Sequence, residues 1–143
     1  MKKKLYRIKE TEKKQIQKKI KNLLKKKKPI TFAYLHGSFI TKDVFRDIDI
    51  AIYLSNRFNK KKSLRYELSL EEKLSKNTGF ICDVRILNQA PVSFSYSVIK
   101  KGIILFSKDE TKRTDFETYI WVKYLDFDFY RKKYMRDTLG IKI

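Results

Sequence analysis

HGSFITKDVFRDIDI, residues 36–50, is the stretch on which the fold reading turns. A Gly-Ser pair, a short loop of mixed polarity and two aspartates one residue apart run into a hydrophobic strand. The preceding ITFAYLH (30–36) is rich in β-branched and aromatic residues and reads as a strand. DIDIAIYL (47–54) alternates strictly: Ile48, Ile50 and Ile52 face one side, and Asp47, Asp49, Ala51 and Tyr53 the other. Two aspartates on one strand face are unusual, because Asp is depleted in strands. Gly37-Ser38 reads as the turn between the strands, with Ser38 as N-cap of a short helical segment.

Outward from this stretch, helices and strands alternate. ETEKKQIQKKIKNLLKKKK (10–28) sets Ile16, Ile20, Leu23 and Leu24 on a narrow apolar stripe of a cationic helix that Pro29 stops. SNRFNKKKS (55–63) is a polar loop before a helix of about 14 residues by its pattern. On that helix Tyr66, Leu70 and Leu74 share a face that Leu64 and Leu68 widen, and Gly79 ends it. FICDVRIL (80–87) is a third strand, VSFSYSVIKKG a short helix after Pro91, and IILF (103–106) a fourth strand. From about Thr111 to Leu139 a helical tract carries Phe116, Tyr119, Ile120, Tyr124, Phe127 and Tyr134 on one stripe. Trp121, Leu125 and Phe129 form a second stripe beside it, more apolar circumference than one docking face requires, so a partner or a self-interface is expected there.

The fold class is therefore α/β (α+β), a small mixed sheet flanked by helices with a long C-terminal helical tract. The chain of 143 residues is expected to be one domain, 1–143, divided into a basic segment 1–28, a core 30–107 and the tract 111–139. One cysteine, Cys82, excludes an internal disulfide framework and a multi-cysteine zinc site, and reads as a buried small hydrophobe. With no apolar run near the roughly 20 residues of a membrane span, and no secretory signal pattern, a cytoplasmic protein is expected. Of the formal charge of +19, +12 lies in residues 1–28. A lysine-biased composition explains this more simply than dedicated nucleic-acid binding, though the arm could serve an acidic partner, RNA or a nucleotide's phosphates.

Chemistry converges on the opening stretch. Asp83 leaves the third strand on the face of Ile81 and Arg85, so a neighbouring Asp47–Asp49 strand would gather three carboxylates. Such a cluster resists full ionisation unless cations join it, and hard divalent ions with oxygen ligands are the natural choice. Two Mg²⁺ ions about 4 Å apart can stabilise the attacking and leaving oxygens of an in-line phosphoryl displacement. Gly37 and Ser38, with the exposed N–H groups at a strand-to-helix turn, make a phosphate seat. His36, alone at a strand end, reads as structural.

GSFITKDVFRDID resembles the Gly-Ser, spacer, Asp-x-Asp signature of the polymerase-β-like nucleotidyltransferases. It is most similar to the minimal nucleotidyltransferases, the MntA-type antitoxins paired with HEPN toxins. CDVRILNQAPVSFSYSVIKKGIILF resembles that family's third-aspartate strand with its following helix and strand, so the likeness spans roughly residues 30–107. It implies a polymerase-β-like nucleotidyltransferase fold and transfer of AMP from ATP, with pyrophosphate leaving. It also implies that Gly37 and Ser38 hold the triphosphate, and that Asp47, Asp49 and Asp83 bind Mg²⁺ and carry catalysis. The implied partner is a HEPN ribonuclease toxin in a hetero-oligomeric complex, silenced by modification of a tyrosine. Where relatives carry small residues and an arginine after Gly-Ser, this chain has Phe39, Ile40, Thr41 and Lys42, so Lys42 or Arg46 is expected to supply positive charge to the nucleotide. Two other readings stay open: neutralisation by binding alone, and transfer to RNA or a small molecule.

Overall fold

The computed structural model describes residues 4–140, so Lys2 and Lys3 of the basic segment lie outside the described residues. The elements in chain order are α1 (Glu10–Lys25), β1 (Ile30–His36), α2 (Ser38–Thr41), β2 (Ile48–Leu54) and α3 (Lys60–Thr78). They are followed by β3 (Cys82–Ile86), α4 (Val92–Lys101), β4 (Ile103–Ser107) and α5 (Glu110–Leu139). The four strands form one mixed sheet in the order β3-β2-β1-β4. β1 pairs antiparallel with β2 and with β4, while β2 and β3 run parallel.

Strand alternation divides the sheet as the sequence implies. Ile48, Ile50 and Ile52 are buried in a core shared with Ile20 and Leu24 of α1 and with Leu70 and Leu74 of α3. Phe32, Tyr34 and Ala51 enter a smaller core on the other face, against Val98 of α4 and Phe116 of α5. There Phe32 stacks on Tyr53 at 4.6 Å. The Tyr34 hydroxyl donates to Glu117 at 2.5 Å, and Arg113 holds the same carboxylate at 2.9 Å, which fastens α5 to β1. Burial, then the contact with Glu117, pushes the Tyr34 phenol far above its ordinary value, so it stays a proton donor.

Several local readings need correcting. α3 starts at Lys60 rather than after residue 63, because the Asn59 side chain caps it by accepting from the Lys62 N–H at 2.8 Å. Leu64 and Leu68 do not widen its buried face; each is 56% exposed. Glu67, Glu71 and Ser75, on the flank adjoining that face, bond the N–H groups of β3 and leave the two leucines beyond them in solvent. Ser38 is the first residue of α2 and makes no side-chain cap; Gly37 is the N-cap residue.

Lys13 is the residue of α1 that its sequence concealed. It is 7% exposed, and its Nζ donates to the carbonyls of Phe39 and Lys42 at 3.1 Å each. The ammonium thereby closes the C-terminal end of α2, where the carbonyls have no partner within the helix. Lys13→Met keeps the aliphatic stem and removes both bonds, leaving two carbonyls without their charged donor. Chemical denaturation should show a loss of about 2–4 kcal/mol.

Candidate active site

Gly37 is where β1 hands over to α2. Its φ of 77° with ψ of −164° is a backbone region that essentially only glycine occupies. Space demands glycine as well: a Cβ here would lie 2.0 Å from Asp49 Oδ2. The turn backbone and the aspartate are thus packed directly on each other. The N–H groups of Ile40 and Thr41 both donate to the Gly37 carbonyl at 3.1 Å, and the Thr41 hydroxyl does so too. Ser38 and Phe39, first in the helix, have N–H groups that no preceding turn can satisfy.

The loop that follows is anchored from inside. Phe39 is fully buried and meets Phe45 edge-on at 4.9 Å. Phe45 is fixed in turn by a two-bond bridge with Tyr6, of 2.8 and 3.1 Å. Lys42, which the sequence assigned to nucleotide binding, has an exposed side chain, and only its backbone serves the loop. Arg46 is exposed as well.

Register brings the acidic residues to one sheet end. Asp49 of β2 lies opposite His36 of β1 on one side and Asp83 of β3 on the other. Asp49 and Asp83 therefore leave the same face as neighbours, with Gly37 beside them. Asp47 stands in the bend just before β2, half-buried like the other two. Asp83 also meets Arg85 Nε at 3.6 Å. Among the described residues, no three His, Cys, Asp or Glu side chains form a ready-made metal cluster. The donor set still fits Mg²⁺, which needs only one or two carboxylates and fills its shell with waters and phosphate oxygens. The closeness of the Gly37 turn to Asp49 would put those phosphate oxygens within its reach.

His36 borders this site without a catalytic arrangement. Its ring meets Phe94 of α4 edge-on at 5.5 Å, and its buried Nε2 has no hydrogen-bond partner. Burial pulls its pKa down, against the opposing pull of Asp83. Cys82 is 3% exposed and joins the core, as expected of a small hydrophobe.

A support for Asp83 escaped the sequence reading. β3 is an edge strand, and its outward N–H groups would otherwise lack partners. Side chains of α3 take them in sequence: Ser75 Oγ accepts from Cys82 at 3.1 Å, Glu71 from Val84 at 3.2 Å and Glu67 from Ile86 at 2.9 Å. The spacing of four matches a single helix flank. Burial pushes the Glu71 carboxyl up, the Val84 N–H draws it partly back, and Asp83 raises it again. Since its folded pKa exceeds the unfolded one, its contribution to stability is full below the ordinary glutamate range and falls as pH rises through the raised value. Glu71→Gln should flatten that pH dependence while keeping an oxygen for Val84. Glu71→Leu should lose about 1–3 kcal/mol in urea unfolding, through the orphaned N–H.

Strand, Gly-Ser turn, aspartate strand and a third aspartate on its parallel neighbour define the nucleotidyltransferase class. Residues 18–111 match the family described as Polymerase beta, Nucleotidyltransferase, and the chain belongs to it. Among curated proteins, none matches the chain in sequence. A chain from the tri-AMPylated Shewanella oneidensis HEPN toxin in complex with MNT antitoxin superposes with a TM-score of 0.69, at 20% identity, covering 89% of this chain and 98% of that one. A toxin–antitoxin structure with AMP-PNP gives 0.70 at 21% identity, over 86% and 98% of the two chains. The MntA–HepT toxin–antitoxin gives 0.64 at 19%, over 92% and 99%. These likenesses establish a shared fold. No helix among the described residues is long and apolar enough to cross a membrane.

Proposed function

We propose that the chain transfers AMP from ATP to a tyrosine hydroxyl of a HEPN-type ribonuclease toxin, with Mg²⁺, and so acts as its antitoxin. The observation that carries this reading is the register of Asp49 beside Asp83, with the Gly37 turn packed on Asp49. Asp47, Asp49 and Asp83 would hold the ions, which supply charge neutralisation at the phosphates. Gly37 and Ser38 would seat the triphosphate through backbone N–H groups, and Lys42 would reach it from the loop. Asp83, steadied by the α3 ladder, would accept the proton of the attacking hydroxyl. The toxin–antitoxin complexes that share this fold, one AMPylated and one with an ATP analogue, support the choice of partner and nucleotide.

α5 offers the partner a surface. Near its start Phe116 docks on the sheet, Ile120 is buried, and Tyr124 stacks on Tyr96 of α4 at 3.7 Å. Farther along, Leu125, Phe127, Phe129, Tyr130 and Tyr134 are all more than half exposed. Apolar side chains around so much of one helix favour a protein interface. This also gives specific support to a second reading, neutralisation by binding alone. Toxin activity measured with Asp47→Asn and Asp49→Asn antitoxins separates the two. Loss of neutralisation with the complex still formed supports transfer; undiminished neutralisation supports binding.

A further inference from the structure

On the sheet face opposite the aspartates, α1 and α3 lie side by side, and a shallow cleft of about 750 Å³ opens between their C-terminal ends. Lys19, Lys26 and Lys27 line one wall, and Lys73 and Lys76 the other. Among the described residues, Leu23 is the only apolar one lining it, and no carboxylate or aromatic residue does. Helix C-termini attract lysines, so the dipoles must be weighed first. Two termini supply roughly half a negative charge each. Glu72 pairs with Lys76 at 3.2 Å and offsets one more. About three of the five positive charges remain unbalanced.

The folded frame also holds like charges together. Contact with the Lys73 ammonium, then burial, pulls the Lys27 pKa down. Lys108 donates to the Lys27 carbonyl at 2.9 Å and brings a further ammonium to the rim; burial, then Lys25, lowers its pKa. Crowded ammoniums that outnumber their counter-charges are what a polyanion completes. Lysines act on phosphates as point charges. The lining offers no aromatic platform for base stacking and too little apolar surface for a protein interface core.

We propose that the α1–α3 cleft binds the phosphate backbone of a nucleic acid without reading its bases. The site lies across the sheet from the aspartates and does not rest on the transfer reaction. Its test is fluorescence anisotropy of the full chain with labelled single-stranded RNA and DNA over a salt series. Affinity should fall linearly with salt on logarithmic axes. Replacing Lys26, Lys73 and Lys76 together with Gln should weaken binding on the order of tenfold or more and flatten the slope by about two. A control with Lys14, Lys60 and Lys61 changed to Gln removes the same charge and should leave affinity and slope near wild type. Lys73→Ala alone relieves the crowding, should not lower the melting temperature and should still weaken binding. A preference for RNA or DNA identifies the source, and either supports the proposal. Equal weakening by the two triple variants, no binding at low salt, or equal competition by polyglutamate would overturn it.

Discussion

Asp49→Asn should abolish nucleotidyl transfer while the protein stays folded. The amide has the shape of the carboxylate, so the packing against the Gly37 turn persists. The charge that would draw a divalent ion is gone. Charge stabilisation by a bound metal is worth several kcal/mol, and losing about 4 kcal/mol slows the reaction roughly a thousandfold. Asp49 also has Asp83 as its register neighbour, so removing one negative charge relieves repulsion. Thermal stability without metal should therefore be unchanged or slightly higher. Steady-state pyrophosphate release and a melting curve on the same sample check both halves.

Gly37→Ala should also slow the reaction severely, by a different route. The new Cβ would meet Asp49 Oδ2 at 2.0 Å, in a conformation with φ of +77° that L-residues avoid. Backbone strain of this kind amounts to about 1–3 kcal/mol. Either the turn or the aspartate must move, and a displacement of about 1 Å at a reacting centre can slow catalysis a hundredfold. Unlike Asp49→Asn, this variant should also melt earlier, by on the order of 10 °C. The pair of outcomes separates loss of charge from loss of geometry.

Much of the fold could be read from local patterns. Alternation along residues 47–54 assigned both faces of β2, because a half-polar strand has only two sides. Gly79 ended α3 in the left-handed conformation, with φ of 81°, as its position after Asn-Thr suggested. The surplus of aromatic residues in α5 was visible because periodicity counts faces. Long-range partners were not visible. Lys13 looks like any other lysine on a cationic helix, and only the tertiary approach of α2 makes it a buried donor. Glu67, Glu71 and Ser75 lie on one helix flank, yet nothing local says that an edge strand will pass beside them. The loop FITKDVFR hid its logic for the same reason. Phe39 and Phe45 are fixed by Tyr6, more than thirty residues earlier in the chain.

Parallel incubations with ATP labelled at the α- or the γ-phosphate test nucleotidyl transfer most directly. The protein and Mg²⁺ are mixed with the proposed HEPN-type toxin, and the toxin is isolated and counted. AMP transfer requires label on the toxin from α-labelled ATP and none from γ-labelled ATP, with Asp47→Asn and Asp83→Asn both silent. Label from the γ-phosphate, or α-label undiminished in those variants, would contradict it.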